Sequence, residues 1–237
     1  MPPSVQIHWF DLRDPALLSP DELSSDEQRR TADLTTDTLR RRYTASHVAL
    51  RRLLSSRLGI EDSRRLRFSP SRGGKPRLCL AACPLTFSLS RSGDLALVAL
   101  GEGVDVGVDV EADHALFESP SFQDAVLTPS ERACVEKWNA PDRASAVQRL
   151  WVRKEAIVKA LGTGFTGPPA SIESGDPGSE SGLRTCGSVA VRWIVLSAPQ
   201  DHAAAVAWCE PEGLSIRATA APLVRLVAPS IGSSERA

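Results

Sequence analysis

Valine occupies every even position from 104 to 110 in the stretch "GVDVGVDVE", Gly103 to Glu111, while the odd positions read Gly, Asp, Gly, Asp, Glu. A period of two belongs to a β-strand, whose side chains alternate between faces. Val104, Val106, Val108 and Val110 therefore share one face that can pack on a core. Asp105, Asp109 and Glu111 share the other.

The rest of the chain divides by period in the same way. "LSPDELSSDEQRRTADL" carries helix-start signals, with Ser19 and Glu22, or Ser25 and Gln28, spaced as a capping box. "LRRRYTASHVALRRLLSSRLGI" repeats apolar residues at helical spacing and ends on Gly59. Its arginines, Arg40 to Arg42, Arg51, Arg52 and Arg57, form either a solvated face or a phosphate-binding patch. "LRFSPSRGGKPRL" reads as strand, Gly-rich turn, strand, and "LTFSLSRSGDLALVALGEGVDVGVDVE" as antiparallel strands divided at "RSGD" and "GEG". Residues 116–150 read as helical, with Thr128 capping a helix that opens on Pro129, and "RLWVRKEAIVKALGTG" is a strong helix closed by glycine. Residues 166–188 are rich in Pro, Gly and Ser and read as loop. "SVAVRWIVLS", "AAAVAWCE" and "SIRATAAPL" form a second set of strands. The order of helix, strands, helix, strands predicts an α+β fold of two similar lobes, residues 1–111 and 112–237.

Composition narrows the class. The 237 residues are 42% hydrophobic and 24% charged, which is ordinary for a soluble globular chain. A net charge of −1 gives no electrostatic case for a nucleic-acid partner. No signal-peptide pattern and no membrane-spanning apolar run is read, so the expectation is a cytoplasmic protein with no membrane partner. Cys79, Cys83, Cys134, Cys186 and Cys209 are odd in number and irregularly spaced, and the histidines are scattered. Five reduced cysteines are expected, with neither a disulfide framework nor a zinc site.

Two motifs carry chemistry. Asp109 and Glu111, two apart on a strand, have Cα atoms about 6.5–7 Å apart. They form either the wet face of an amphipathic edge strand or two ligands of one oxygen-seeking cation such as Mg2+. Asp105 lacks a second acid two residues on and reads as a solvated residue beside a turn. On the later helix, Trp151, Glu155 and Lys159 fall on one side at successive spacings of four, beside an apolar stripe of Leu150, Ile157 and Leu161. Glu155 and Lys159 form either an ordinary helical ion pair or a third metal ligand and a cation for phosphate.

Together, "GVDVE" and "WVRKEAIVKALGTG" resemble the paired signature of the 4'-phosphopantetheinyl transferases, in particular the larger, surfactin-synthetase-activating type. "LRFSPSRGGKPRL", "TFSLSRSGDLALVAL" and "RRRYTASHVALRRLL" are similar to further segments of that family, in the same order. The resemblance covers roughly residues 25–170.

The resemblance implies a pseudo-twofold pair of α+β lobes with coenzyme A in the cleft between them. It implies Mg2+-dependent transfer of the phosphopantetheine arm of coenzyme A to a serine of an apo acyl or peptidyl carrier protein, with adenosine 3',5'-bisphosphate released. It assigns Asp109, Glu111 and Glu155 to Mg2+, Lys159 to the departing phosphate, and Arg51, Lys75, Ser90 and Arg91 to coenzyme A. Arg91 stands where the family usually has histidine. Glu155 and Glu131 are the candidate bases, although Glu131 near a helix start also reads as helix-dipole chemistry. The segment 112–138 is the expected carrier dock, with Phe117, Phe122 and Leu127 as either contacts or core. One chain carrying both lobes is expected to act as a monomer. The alternative is a coenzyme A or nucleotide-binding module without turnover. Which carrier is used, among peptide-synthetase, polyketide and fatty-acid types, is not encoded legibly.

Overall fold

A computed structural model describes residues 3–210, apart from 72, 82, 114 and 200, together with the backbone of Leu223–Val227. The strands are β1 (Ser4–Asp11), β2 (Phe68–Pro70), β3 (Pro76–Leu78), β4 (Leu85–Ser92), β5 (Leu95–Glu102), β6 (Val106–Ala112), β7 (Ser181–Cys186), β8 (Val189–Leu196), β9 (His202–Cys209) and β10 (Leu223–Val227). The α-helices are α1 (Ser25–Ala32), α2 (Asp37–Leu58), α3 (Pro120–Val126), α4 (Pro129–Val135) and α5 (Arg143–Leu161).

Among the described residues two four-stranded sheets form, ordered β10-β1-β5-β4 and β6-β9-β8-β7, with β2 and β3 as a separate hairpin. Both sheets repeat one plan. A first strand leads to a long helix, and the chain returns as a hairpin whose second strand pairs antiparallel with the first. In one sheet these are β1, α2, β4 and β5; in the other, β6, α5, β8 and β9. The fold is the expected α+β pair of helix-packed sheets, with one parallel pairing, β1 to β10.

Alternation explains the layers. Val5, Ile7, Leu97 and Ala99 of the first sheet meet all four motif valines, Val206 and Trp208 of the second in one buried cluster. The opposite faces take the helices: α2 packs on Ala96, Val98 and Leu100, and α5 on Val191, Trp193, Ala205 and Ala207.

Three expectations are corrected and one strand is added. The strand β6 pairs with β9, so it belongs to the second sheet and the division after residue 111 cuts through it. The capping box is Ser24 with Glu27, one residue before the Ser25 register: the Ser24 hydroxyl receives the Glu27 amide, and the Glu27 carboxylate receives the Ser24 amide. The N-terminal Val5 and Ile7 alternation is itself a strand. The loop read over 166–188 contains β7, an edge strand whose Gly182 lies under the Trp193 indole, where a Cβ would come within 2.5 Å of the ring. "SIRATAAPL" lies outside the described residues except for Leu223. All five cysteines are free. Among the described residues no helix is long and apolar enough to cross a membrane.

Candidate active site

The strand β6 and the helix α5 meet at Gly107. A Cβ there would lie 2.1 Å from the Ala156 carbonyl oxygen and 2.3 Å from the Ala160 nitrogen, so the helix backbone crosses the strand where no side chain stands. That approach brings Asp109 under α5, where it is 2% exposed. The acidic face of the strand is thus covered at Asp109 and half-exposed at Glu111. Between Leu150 and Ala160 of α5 the partly exposed positions are Trp151, Glu155 and Lys159, the face that helical spacing predicted.

The Lys159 ammonium donates to Asp109 Oδ1 at 2.6 Å and to Ser90 Oγ at 3.2 Å, and the Ser90 hydroxyl donates to the same Oδ1 at 2.7 Å. Asp109 Oδ2 is buried with no hydrogen-bond partner among the described residues. Burial pushes the Asp109 carboxyl above the usual range, against the pull of Lys159. Burial, and then the Asp109 charge, raise Glu111 as well. The same two causes push Glu155 up to about 7, with Glu111 adding to the rise. The Asp109 charge thus acts on both Glu111 and Glu155, and a cation beside them would relieve that repulsion. Among the described residues no three His, Cys, Asp or Glu side chains are grouped as a formed metal site. The donor chemistry nevertheless suits an oxygen-seeking divalent ion: all three groups are carboxylates, and one buried oxygen is unsatisfied.

Beside these acids opens a cleft of about 490 Å³ between the lobes. Tyr43 and His47 of α2, Phe87 and Leu89 of β4, and Glu155 and Lys159 of α5 are among its walls. The hairpin loop closes one end. Gly73 packs so tightly on the turn after α5 that a Cβ would lie 2.1 Å from Gly162 O. Lys75 lines this end, with its ammonium donating to Val106 O at 2.8 Å. Asp105 is ion-paired with Arg77 and Lys75 rather than simply solvated. Arg91 stands beside Tyr43 of the cleft wall. Its guanidinium lies 5.3 Å from the Tyr43 ring centroid and donates to Ser46 Oγ at 3.1 Å. Tyr43 in turn stacks on His47 at 3.8 Å.

Five expected residues lie away from the cleft. Arg51 is 1% exposed and spends its donors on Glu27 at 2.6 Å and the Ser63 carbonyl at 2.6 Å. It props the cleft wall from behind, because Glu27 and Phe68, whose ring it covers, are the residues that face the cavity. The remaining arginines of α2 named above are ion-paired with Asp37, Asp94, Glu22 and Glu102, which fits a solvated face. Glu131 is fully buried, with one oxygen taken by the Ser174 amide and hydroxyl and the other by the Thr128 amide and Lys154. With both oxygens occupied and no solvent contact, it is a structural residue and not a base. Phe117 and Leu127 belong to a buried cluster with Val126 and Leu150, while Phe122 packs partly buried against it, so these are core rather than dock.

One functional feature escaped sequence reading. Thr86, Ser88, Ser90 and Ser92 form a period-two row of hydroxyls along β4, the edge strand of the first sheet. They reach across to β6, the edge strand of the second, and the turn before it: Thr86 donates to Val104 O at 2.6 Å, and Ser88 accepts from the Val108 amide at 3.1 Å. The alternation in "TFSLSRS" was visible, but a hydroxyl suits either a wet or a buried face, so the pattern did not reveal the seam.

Comparison with known proteins agrees with this geometry. The family model of the 4'-phosphopantetheinyl transferase superfamily matches residues 105–207, which hold all three carboxylates and Lys159. The 4'-phosphopantetheinyl transferase HetI of Nostoc sp. is 33% identical over 145 residues, covering 60% of this chain and 61% of the relative. The 4'-phosphopantetheinyl transferase AcpT of Salmonella typhimurium is 38% identical over 89 residues, covering 38% of this chain and 46% of the relative. The chain thus spans less than two thirds of the length of these two relatives. A holo-[acyl-carrier-protein] synthase of Verminephrobacter eiseniae is 33% identical over 111 residues, covering 40% of this chain and 81% of the relative. With most of that smaller protein matched, and with the matched strand and helix being the two that meet at the acids, this chain belongs to the 4'-phosphopantetheinyl transferase superfamily.

Proposed function

We propose that the chain transfers the 4'-phosphopantetheine arm of coenzyme A to a serine hydroxyl of an apo carrier protein and releases adenosine 3',5'-bisphosphate. The observation that carries this reading is the buried Asp109 carboxylate paired with Lys159 at 2.6 Å, where Lys159 and Glu155 line a cleft between two repeated lobes. The names of the relatives support the same activity.

Asp109, Glu111 and Glu155 would hold Mg2+. When bound, the ion supplies neutralising charge to the pyrophosphate oxygens. Lys159, which lines the cleft, donates to the phosphate that departs with the nucleotide. Glu155 faces the cleft and takes up the proton of the attacking serine. The serine oxygen bonds to phosphorus as the bond to the nucleotide phosphate breaks. Lys75 and Ser90 contact coenzyme A from the hairpin loop and β4, and Arg91 meets its 3'-phosphate beside Tyr43. The guanidinium keeps its charge at all working pH values and offers a planar fork of donors.

The test is incubation with coenzyme A, Mg2+ and a panel of apo carrier proteins, read by mass spectrometry. A mass gain of one arm on the carrier, absent without divalent ion, is the expected result. Binding of coenzyme A by calorimetry with no carrier modified across the panel would replace the enzyme with a binding module.

A further inference from the structure

The row of hydroxyls on β4 ends at Ser92, beyond the residues that line the cleft. Its hydroxyl donates to Glu111 Oε2 at 2.9 Å and accepts from the Ala112 amide at 2.9 Å. A serine hydroxyl has one hydrogen, so the amide leaves that hydrogen aimed at the carboxylate and removes the freedom of the rotor. Ser92 is itself held. The adjoining turn carries Asp94, whose carboxylate receives Arg41 at 2.7 Å and Arg42 at 2.8 Å from α2. The Asp94 carbonyl receives the Leu12 amide at 2.8 Å.

Glu111 is thus gripped from both lobes. Its backbone carbonyl receives the Gln148 side chain of α5 at 2.8 Å, which fixes the strand. Its side chain, with three rotatable bonds and a neighbouring Asp109 that repels it, is fixed from the first lobe. On the transferase reading, we propose that Ser92 is a positioning residue: it sets the Glu111 carboxylate across the lobe seam so that it faces the divalent ion together with Asp109 and Glu155, without touching substrate.

The test measures Mn2+ affinity by electron paramagnetic resonance of free Mn2+, in the presence of coenzyme A, for the full chain and for Ser92→Ala, Ser92→Cys and Ser92→Thr. Thermal midpoints are recorded alongside. Losing an outer support of a metal ligand costs roughly 10–100-fold in affinity, and the alanine and cysteine variants are expected to lose at least about tenfold. Threonine, which keeps the hydroxyl, is expected to retain wild-type affinity. The loss is also expected to vanish in a Glu111→Gln background, which a general structural role would not produce. Cysteine preserves bulk at the seam and serves if the alanine variant fails to fold. Wild-type affinity in the cysteine or alanine variant, in a chain that loads carriers normally, overturns the role of Ser92 alone. A wild-type chain that neither binds Mn2+ nor loads any carrier overturns the transferase reading and this inference together.

Discussion

The Glu131 carboxylate and the Lys154 ammonium meet at 2.5 Å with neither side chain exposed to solvent. Lys154 immediately precedes Glu155 on α5, and it also donates to the carbonyl of Val126 at 2.6 Å and of Pro169 at 3.2 Å. The pair therefore ties the cap of α4, the loop after α5 and the helix that presents Glu155 into one unit.

Breaking a buried pair by removing one partner strands the other charge, at a cost of about 3–5 kcal/mol. Glu131→Ala is expected to lose that much stability in urea titration. An unchanged urea midpoint with abolished turnover would return Glu131 to a chemical role.

Glu155 carries strain of the opposite kind. Its carboxyl is raised to about 7, against ~4.3 in an unfolded chain. Between those values the folded state binds the additional proton, so the group weakens the fold as pH rises through that window. Glu155→Gln is expected to raise the thermal midpoint by a few degrees at pH 8 without divalent ions, roughly what 1 kcal/mol gives a domain of this size. The gain should vanish near pH 4. A lower midpoint at pH 8 would show that the three acids do not repel in the folded chain.

His47 responds to acid. Burial pushes its imidazole down to about 4, while the unfolded value is ~6.5. In that interval the unfolded chain binds the extra proton, so stability falls as pH drops from about 6.5 toward 4. The thermal midpoint of His47→Gln should depend less on pH over this interval than that of the wild type. An imidazole that titrates near 6.5 by NMR would refute the assignment.

Gly107 makes the approach of β6 to α5 possible. Gly107→Ala sets a methyl against the helix backbone, and overpacking of this kind costs about 1–3 kcal/mol. Because the strand must move away from Asp109's partner on α5, transfer activity is expected to fall more than tenfold even in the folded fraction. Near-wild-type turnover with an unchanged midpoint would contradict the close crossing.

On the transferase reading, Arg91→Ala should raise the KM for coenzyme A more than the KM for dephospho-coenzyme A, which lacks the 3'-phosphate. Equal effects on the two substrates would remove Arg91 from that contact.

Much of this arrangement was legible because period and burial act together. The valines of β6 could be placed because the same alternation that defines a strand also defines its buried side. Trp151, Glu155 and Lys159 could be placed because helical spacing leaves one face for solvent. Arg51 and Glu131 were misread because a charged residue does not announce its partner. Each is satisfied by groups distant in sequence, Ser63 and Ser174 among them. The strand β7 was hidden by Ser181 and Gly182, and the use of Gly182 under Trp193 depends on a tertiary contact. The lobe boundary was misplaced because β6 follows β5 directly, and only ladder pairing reveals that it has crossed to the other sheet.

The parallel pairing of β1 with β10 has a consequence for synthesis. The edge strand that completes the first sheet is encoded after the whole of the second, so a ribosome that has delivered residues 1–103 has not yet supplied every strand of the first sheet. That sheet gains its last member only when the nascent chain has emerged past Val227, and the two halves of the molecule therefore mature together rather than in turn.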